Sequence, residues 1–112
     1  MAYDEDLADR IRELIGGTKG LTEKKMFGGL AFLIGGNMAV AASGQGGLMV
    51  RVDPDQGEKL ISTTKARPME MRGREMSGWL RVESADVRTR AQLAKWVKLG
   101  SDYAGSLPKK KG

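Results

Sequence analysis

The sequence predicts an α+β domain in two layers, an antiparallel sheet with flanking helices in the order α-β(3-4)-α-β(2)-α. Three observations lead there. From Met26 to Val50 the stretch MFGGLAFLIGGNMAVAASGQGGLMV carries no formal charge, yet the pairs Gly28-Gly29, Gly35-Gly36 and Gly46-Gly47 punctuate it as hairpin turns would. Apolar residues near both ends of the chain recur at helical spacing instead. Strands grouped in hairpins, with helices before, between and after them, pack as an antiparallel sheet against helices.

Each element follows in order. Asp4 to Ile15 reads as a helix because Leu7, Ile11, Leu14 and Ile15 form one apolar stripe, with acids in the first turn where the helix dipole favours them. Gly16-Gly17 ends it. Thr22 to Phe27 is a first strand, and Gly28-Gly29 behind it marks a bulge or tight turn. Leu30 to Ile34 and Met38 to Ala42 pair across Gly35-Gly36-Asn37, whose central positions need positive φ. After the loop Ser43 to Gly46, Leu48 to Val52 alternates as a half-buried strand does.

Asp53-Pro54 starts a short helix, as N-cap and first-turn proline, that ends near Ser62. Arg67 to Met71 and Trp79 to Glu83 read as a second antiparallel pair around a Gly73 to Gly78 connection. Met69, Met71 and Met76, close to Trp79, read either as an adaptable hydrophobic contact surface or, the reading preferred, with Met69 and Met71 packed in the core against Leu80 and Val82. Val87 to Leu107 carries Leu93, Trp96, Val97, Gly100, Tyr103, Ala104 and Leu107 at helical spacing, and Pro108 stops it.

Length and composition narrow the class. A chain of 112 residues is one domain, here residues 1–108 with a basic disordered tail at 109–112. It contains no cysteine and no histidine, so a disulfide frame, a thiol nucleophile and the usual nitrogen and sulfur metal sites are not expected. The uncharged run has the length of a membrane span, which takes about 20 apolar residues, but its glycines with Asn37, Ser43 and Gln45 make a poor one. MAYDEDLADR lacks the basic start and apolar middle of a signal peptide, so the expected location is the cytoplasm.

Net charge is +5, of which Lys109, Lys110 and Lys111 supply three. Acids load the first helix, whereas Lys65, Arg67, Arg72, Arg74, Arg81, Arg88, Arg90, Lys95 and Lys98 load the later half. That asymmetry admits an acidic partner, nucleic acid included, a head-to-tail contact between copies, or ordinary solvated surface.

Catalytic signatures are missing. Gly100 to Ser106 has serine where a phosphate loop needs lysine, and Gly44-Gln45-Gly46-Gly47 has Met49 in place of the third glycine of a dinucleotide fingerprint. Without histidine, no spacing supports a base for a serine or threonine nucleophile. Asp53, Asp55 and Glu58 cluster where a hard cation binds through oxygen, but helix capping explains them more simply. No enzyme activity, cofactor or metal is expected.

Two features point to binding. Ala31, Leu33, Ala39, Ala41 and Met49 lie opposite in parity to Leu30, Phe32, Ile34, Val40, Leu48 and Val50 and are apolar too. The second sheet face is therefore expected to be buried by a segment of the chain, a second copy or a partner, or to expose little area because its alanines are small. Arg67, Arg72, Arg74 and Arg81 beside Trp79 form the best polar candidate, since arginine forks grip carboxylate and phosphate and an adjacent aromatic can stack. Glu70, Glu75 and Glu83 are interleaved with them, so a solvated, ion-paired hairpin stays open as the plainer reading.

Lys24-Lys25-Met26-Phe27-Gly28-Gly29-Leu30-Ala31-Phe32, then Asn37-Met38-Ala39, Leu48-Met49-Val50-Arg51-Val52, and Arg67-Pro68-Met69 to Trp79-Leu80, together resemble the N-terminal domain of the TfoX/Sxy family. The resemblance runs from Asp6 to Tyr103, and its most specific piece is KKMFGG followed, after a strand, by a hairpin glycine and an L-x-x-R strand. It implies an antiparallel sheet flanked by helices, as in type III secretion chaperones. Full-length members are bacterial positive regulators of natural competence genes that work with a cyclic-AMP-dependent transcription activator and carry a C-terminal helical domain, for which this chain is expected to have no room. The family implies no catalytic or cofactor residue.

The expected function is thus a non-enzymatic interaction module, a transcription- or competence-linked adaptor that binds a protein partner or a second copy. Its expected surface comprises Leu33, Met49, Arg51, Arg67, Arg72, Arg74, Trp79 and Arg81, with Gly28, Gly29, Gly35 and Gly36 as structural turns. Direct nucleic-acid binding through the basic later half is the alternative, and a ligand sensor or enzyme is the least favoured.

Overall fold

The computed structural model describes residues 4–26, 28–44, 46–71 and 73–108. Asp4 caps the first helix, α1 (Glu5–Ile15), its carboxylate accepting from the Leu7 N–H at 3.1 Å. Leu7, Ala8, Ile11 and Ile15 form its buried stripe. Three strands follow, β1 (Leu21–Met26), β2 (Gly29–Ile34) and β3 (Asn37–Ala42). The turn between β2 and β3 is Gly35-Gly36 with φ of +61° and +83°, the doubly left-handed geometry that glycine adopts without strain. Ile34 and Asn37 face each other across it. Gly28 turns the chain from β1 into β2, and Gly29 already pairs with Met26, so this glycine pair is a turn followed by a strand start. Phe27, expected to close the first strand, lies outside the described residues, as do Arg72 and the 109–112 tail.

After β4 (Leu48–Arg51), Asp53 and Pro54 start α2 (Pro54–Thr63) as their chemistry requires: Asp53 accepts from the Asp55 N–H at 2.9 Å. The sheet then closes with β5 (Arg67–Met71) and β6 (Arg74–Val82). Here the structure corrects the sequence reading. Gly73 to Gly78 is not a connection; all but Gly73 belongs to β6, and the turn sits at Met71 to Arg74. Gly78 is instead an irregularity within the strand. At φ +82° it packs against the Val52 carbonyl and the Pro54 ring, and its own carbonyl accepts from the Val52 N–H at 2.8 Å.

The last helix also starts later than its apolar spacing suggests. Ser84–Val87 is a 3₁₀ turn, and α3 (Arg90–Ser106) begins after it. Thr89 and Gln92 form a reciprocal capping box, hydroxyl accepting from the Gln92 N–H at 3.1 Å and Gln92 Oε1 accepting from the Thr89 N–H at 3.0 Å. Arg10 of α1 donates to the carbonyls of Val87, Arg88 and Thr89, which ties the first helix to this junction.

The six strands form one antiparallel sheet in the order β1-β2-β3-β4-β6-β5. One face carries Leu30, Phe32, Val40, Leu48, Val50, Leu80 and Val82, and on it lie the buried sides of α1 and α3, with Leu60 of α2 at the margin. Gly100 makes the closest approach: a methyl there would strike the Ala39 carbonyl oxygen and come within 2.9 Å of Val40 Cγ1. All three helices thus occupy the same side.

Candidate partner-binding face

Antiparallel register places directly opposed residues on one face. The pairs Lys24↔Ala31, Ala31↔Ala41, Ala41↔Met49, Met49↔Arg81 and Arg81↔Arg67 therefore trace one row across all six strands, on the side without helices. Leu33 with Met38, and Arg51 with Trp79, continue that face on its next tier. Its middle is apolar and its two ends are cationic.

Met69 joins them. The expectation that it packs against Leu80 and Val82 is wrong: Arg67 faces Arg81, and Met69, two residues on along β5, shares that face and packs on the cluster of Ala31, Met38, Ala41 and Met49, while the Met71 side chain lies outside what the structure describes. Leu33, Met69 and Trp79 are half-buried, while Ala31, Met38, Ala41 and Met49 lie almost wholly beneath their neighbours. Met49, at 8% exposure, is a floor rather than a contact surface. Ala39 also departs from its expected side: a bulge at Phe32/Leu33 lets it point toward α3, where it packs with Ile34 and Ala104.

The cations are held unequally. Arg67 pairs with Glu83 at 3.6 Å, one of the interleaved acids, and Arg81 Nη2 donates to the Gly46 carbonyl at 3.1 Å. Arg51 differs. Its guanidinium carbon lies over the Trp79 ring, 5.3 Å from the centroid, and over the Tyr103 ring at 5.7 Å. No carboxylate or other acceptor among the described residues bonds to it. Tyr103 reaches this place from the last turns of α3; its sequence signal was only that of an apolar helix position. The Arg74 side chain, like Arg72, lies outside what the structure describes.

Elsewhere on the basic half, two cations are paired locally. Lys65 sits 3.9 Å from Asp86 and Lys98 3.7 Å from Asp102, while Lys95 lies over Trp96. Among the described residues no cluster of His, Cys, Asp or Glu is placed to hold a metal ion, and no helix is long and apolar enough to cross a membrane.

The family model of the TfoX N-terminal domain matches residues 13–104, a span that begins inside α1 and runs through every strand into the end of α3. The chain belongs to the TfoX N-terminal domain family. No curated protein matches it. The matched span of the TfoX N-terminal domain contains Arg51 and Trp79 of the helix-free face and Tyr103 of α3, which meets Arg51.

Proposed function

We propose that this TfoX N-terminal domain is a non-enzymatic protein-interaction module with a competence- or transcription-regulatory role in the cytoplasm. The observation that carries this reading is the helix-free sheet face, where Leu33, Met69 and Trp79 stand half-exposed over a floor of alanine and methionine. Antiparallel sheets with one open face normally present polar residues there, and a contiguous apolar patch on such a face marks an interaction surface. Methionine suits the role, since its unbranched side chain adapts to an incoming surface.

Direct nucleic-acid binding finds less support, because Arg67, Lys65 and Lys98 are paired with carboxylates and the basic stripe is interrupted. Capture from a lysate by the immobilised domain separates these readings. Leu33→Asp and Trp79→Ala are expected to lose the captured protein, while Ile61→Asp, on the exposed side of α2, keeps it. Equal capture by all three variants would sink the proposal. Met49 is a poor probe, since a carboxylate there would be almost wholly removed from water and a loss of capture could reflect misfolding.

A further inference from the structure

Arg51 is the one described cation on this face that combines partial burial, two aromatic neighbours and no protein acceptor. Around it the Trp79 indole N–H and the Tyr103 hydroxyl also make no hydrogen bond to a described residue. A guanidinium and an indole are donors only. Such a cluster is complementary to a ligand that brings acceptors and a negative charge, and a guanidinium over aromatic rings keeps its N–H fork for two-pronged bonding.

We infer that Arg51, Trp79 and Tyr103 form a carboxylate receptor, which takes an aspartate or glutamate side chain of a protein partner while apolar residues beside that acid lie on Leu33, Met69 and Trp79. The inference rests on the reading of this face as the partner surface and gives that partner its chemistry. Charge decides among occupants. A second copy docked face to face would bring Lys24, Arg51, Arg67 and Arg81 of both chains together, which costs free energy. Duplex nucleic acid presents a phosphate of each strand every ~3.4 Å of helix axis, whereas Lys24 and Arg81 stand four strand spacings apart, roughly 19 Å, across alanine and methionine. An acid set among apolar residues matches both the cation and its surroundings.

Two peptides test it, acetyl-Leu-Asp-Leu-Leu-amide and its asparagine counterpart, each titrated into the ¹⁵N-labelled domain. The acidic peptide is expected to shift the Arg51 Nε–H and Trp79 indole resonances and to leave that of the buried Trp96 in place. The asparagine peptide should bind at least about tenfold more weakly, the loss typical of a charged hydrogen bond. Arg51→Gln should bring the acidic peptide down to that level, and Arg51→Lys should restore only part, since it keeps the charge but not the fork. An unmoved Trp96 signal in both variants reports that the fold is intact. Equal binding of the two peptides on this face would overturn the carboxylate site and leave the partner-face reading standing. Absence of any shift at Leu33, Met69 and Trp79 would overturn both. Tighter binding of an oligothymidine at the same resonances would overturn the inference in favour of nucleic acid.

Discussion

Gly100 shows how a single missing side chain sets the spacing between layers. In the middle of α3 glycine costs helix stability of about 1 kcal/mol relative to alanine, so its presence on the buried stripe calls for a packing reason. The Ala39 carbonyl and Val40 Cγ1 supply it, because the helix backbone lies directly on β3. Gly100→Ala would gain helix propensity but overpack this contact, and overpacking costs about 1–3 kcal/mol. The expected net effect is a loss on the order of 1 kcal/mol, read as a lower urea midpoint with an unchanged slope. Arg51 is the functional counterpart at this scale. Its position was legible from the L-x-x-R strand, but its setting was not, because Tyr103 comes from fifty residues away in the chain.

Pairs of elements are joined by polar contacts that no local pattern announces. Arg12 of α1 grips Glu23 of β1 with two hydrogen bonds, Nε to Oε2 at 2.8 Å and Nη2 to Oε1 at 2.7 Å, and a third runs to Asp9. The arginine's bonds hold the Glu23 carboxyl below its ordinary value of 4.5. A carboxyl depressed in the folded state stabilises above its unfolded value, and that contribution is lost as pH falls through the lowered folded one. Glu23→Gln should therefore unfold at lower urea than the wild type near pH 7. The two curves should converge as the pH falls below 4.5 and through the lowered folded value, and the neutral-pH gap should shrink in high salt because the pair is exposed. A gap that persists at low pH would assign the effect to packing. At the same scale, the β5–β6 hairpin shows why glycine misleads: Gly78 reads as a loop, yet contacts with Val52 and Pro54 make it a kink within a nine-residue strand.

For the molecule as a whole, the decisive asymmetry is that, among the described residues, three helices lie on one sheet face and none on the other. The core side buries its apolar surface within the chain. The second side buries only its small and flexible residues and leaves Leu33, Met69 and Trp79 half-covered inside a cationic rim. Like charges on that rim disfavour self-pairing, so light scattering after size-exclusion chromatography should report a monomer at roughly 0.1 M salt. The same mass is expected near 1 M, where the screening length falls from about 10 to about 3 Å. A dimer that appears only at high salt would show apolar self-association held back by charge alone. The edges of the sheet are guarded against pairing as well, by Lys24 and Lys25 on β1 and by Pro68 on β5.

The class of fold, nearly every element and the Gly35-Gly36 hairpin turn were legible in the sequence, because turns, caps and periodicity are local: Gly35-Gly36, Asp53-Pro54 and the α1 stripe each act within a few residues. The apolar character of the second face was legible too, since parity along a strand is a local property. Which residue shows on that face was settled by packing in three dimensions. The bulge at Phe32/Leu33 reversed Ala39, and the packing of α3 brought Tyr103 to Arg51. Side-chain facing depends on register, and register is settled by contacts between strands and helices distant in sequence.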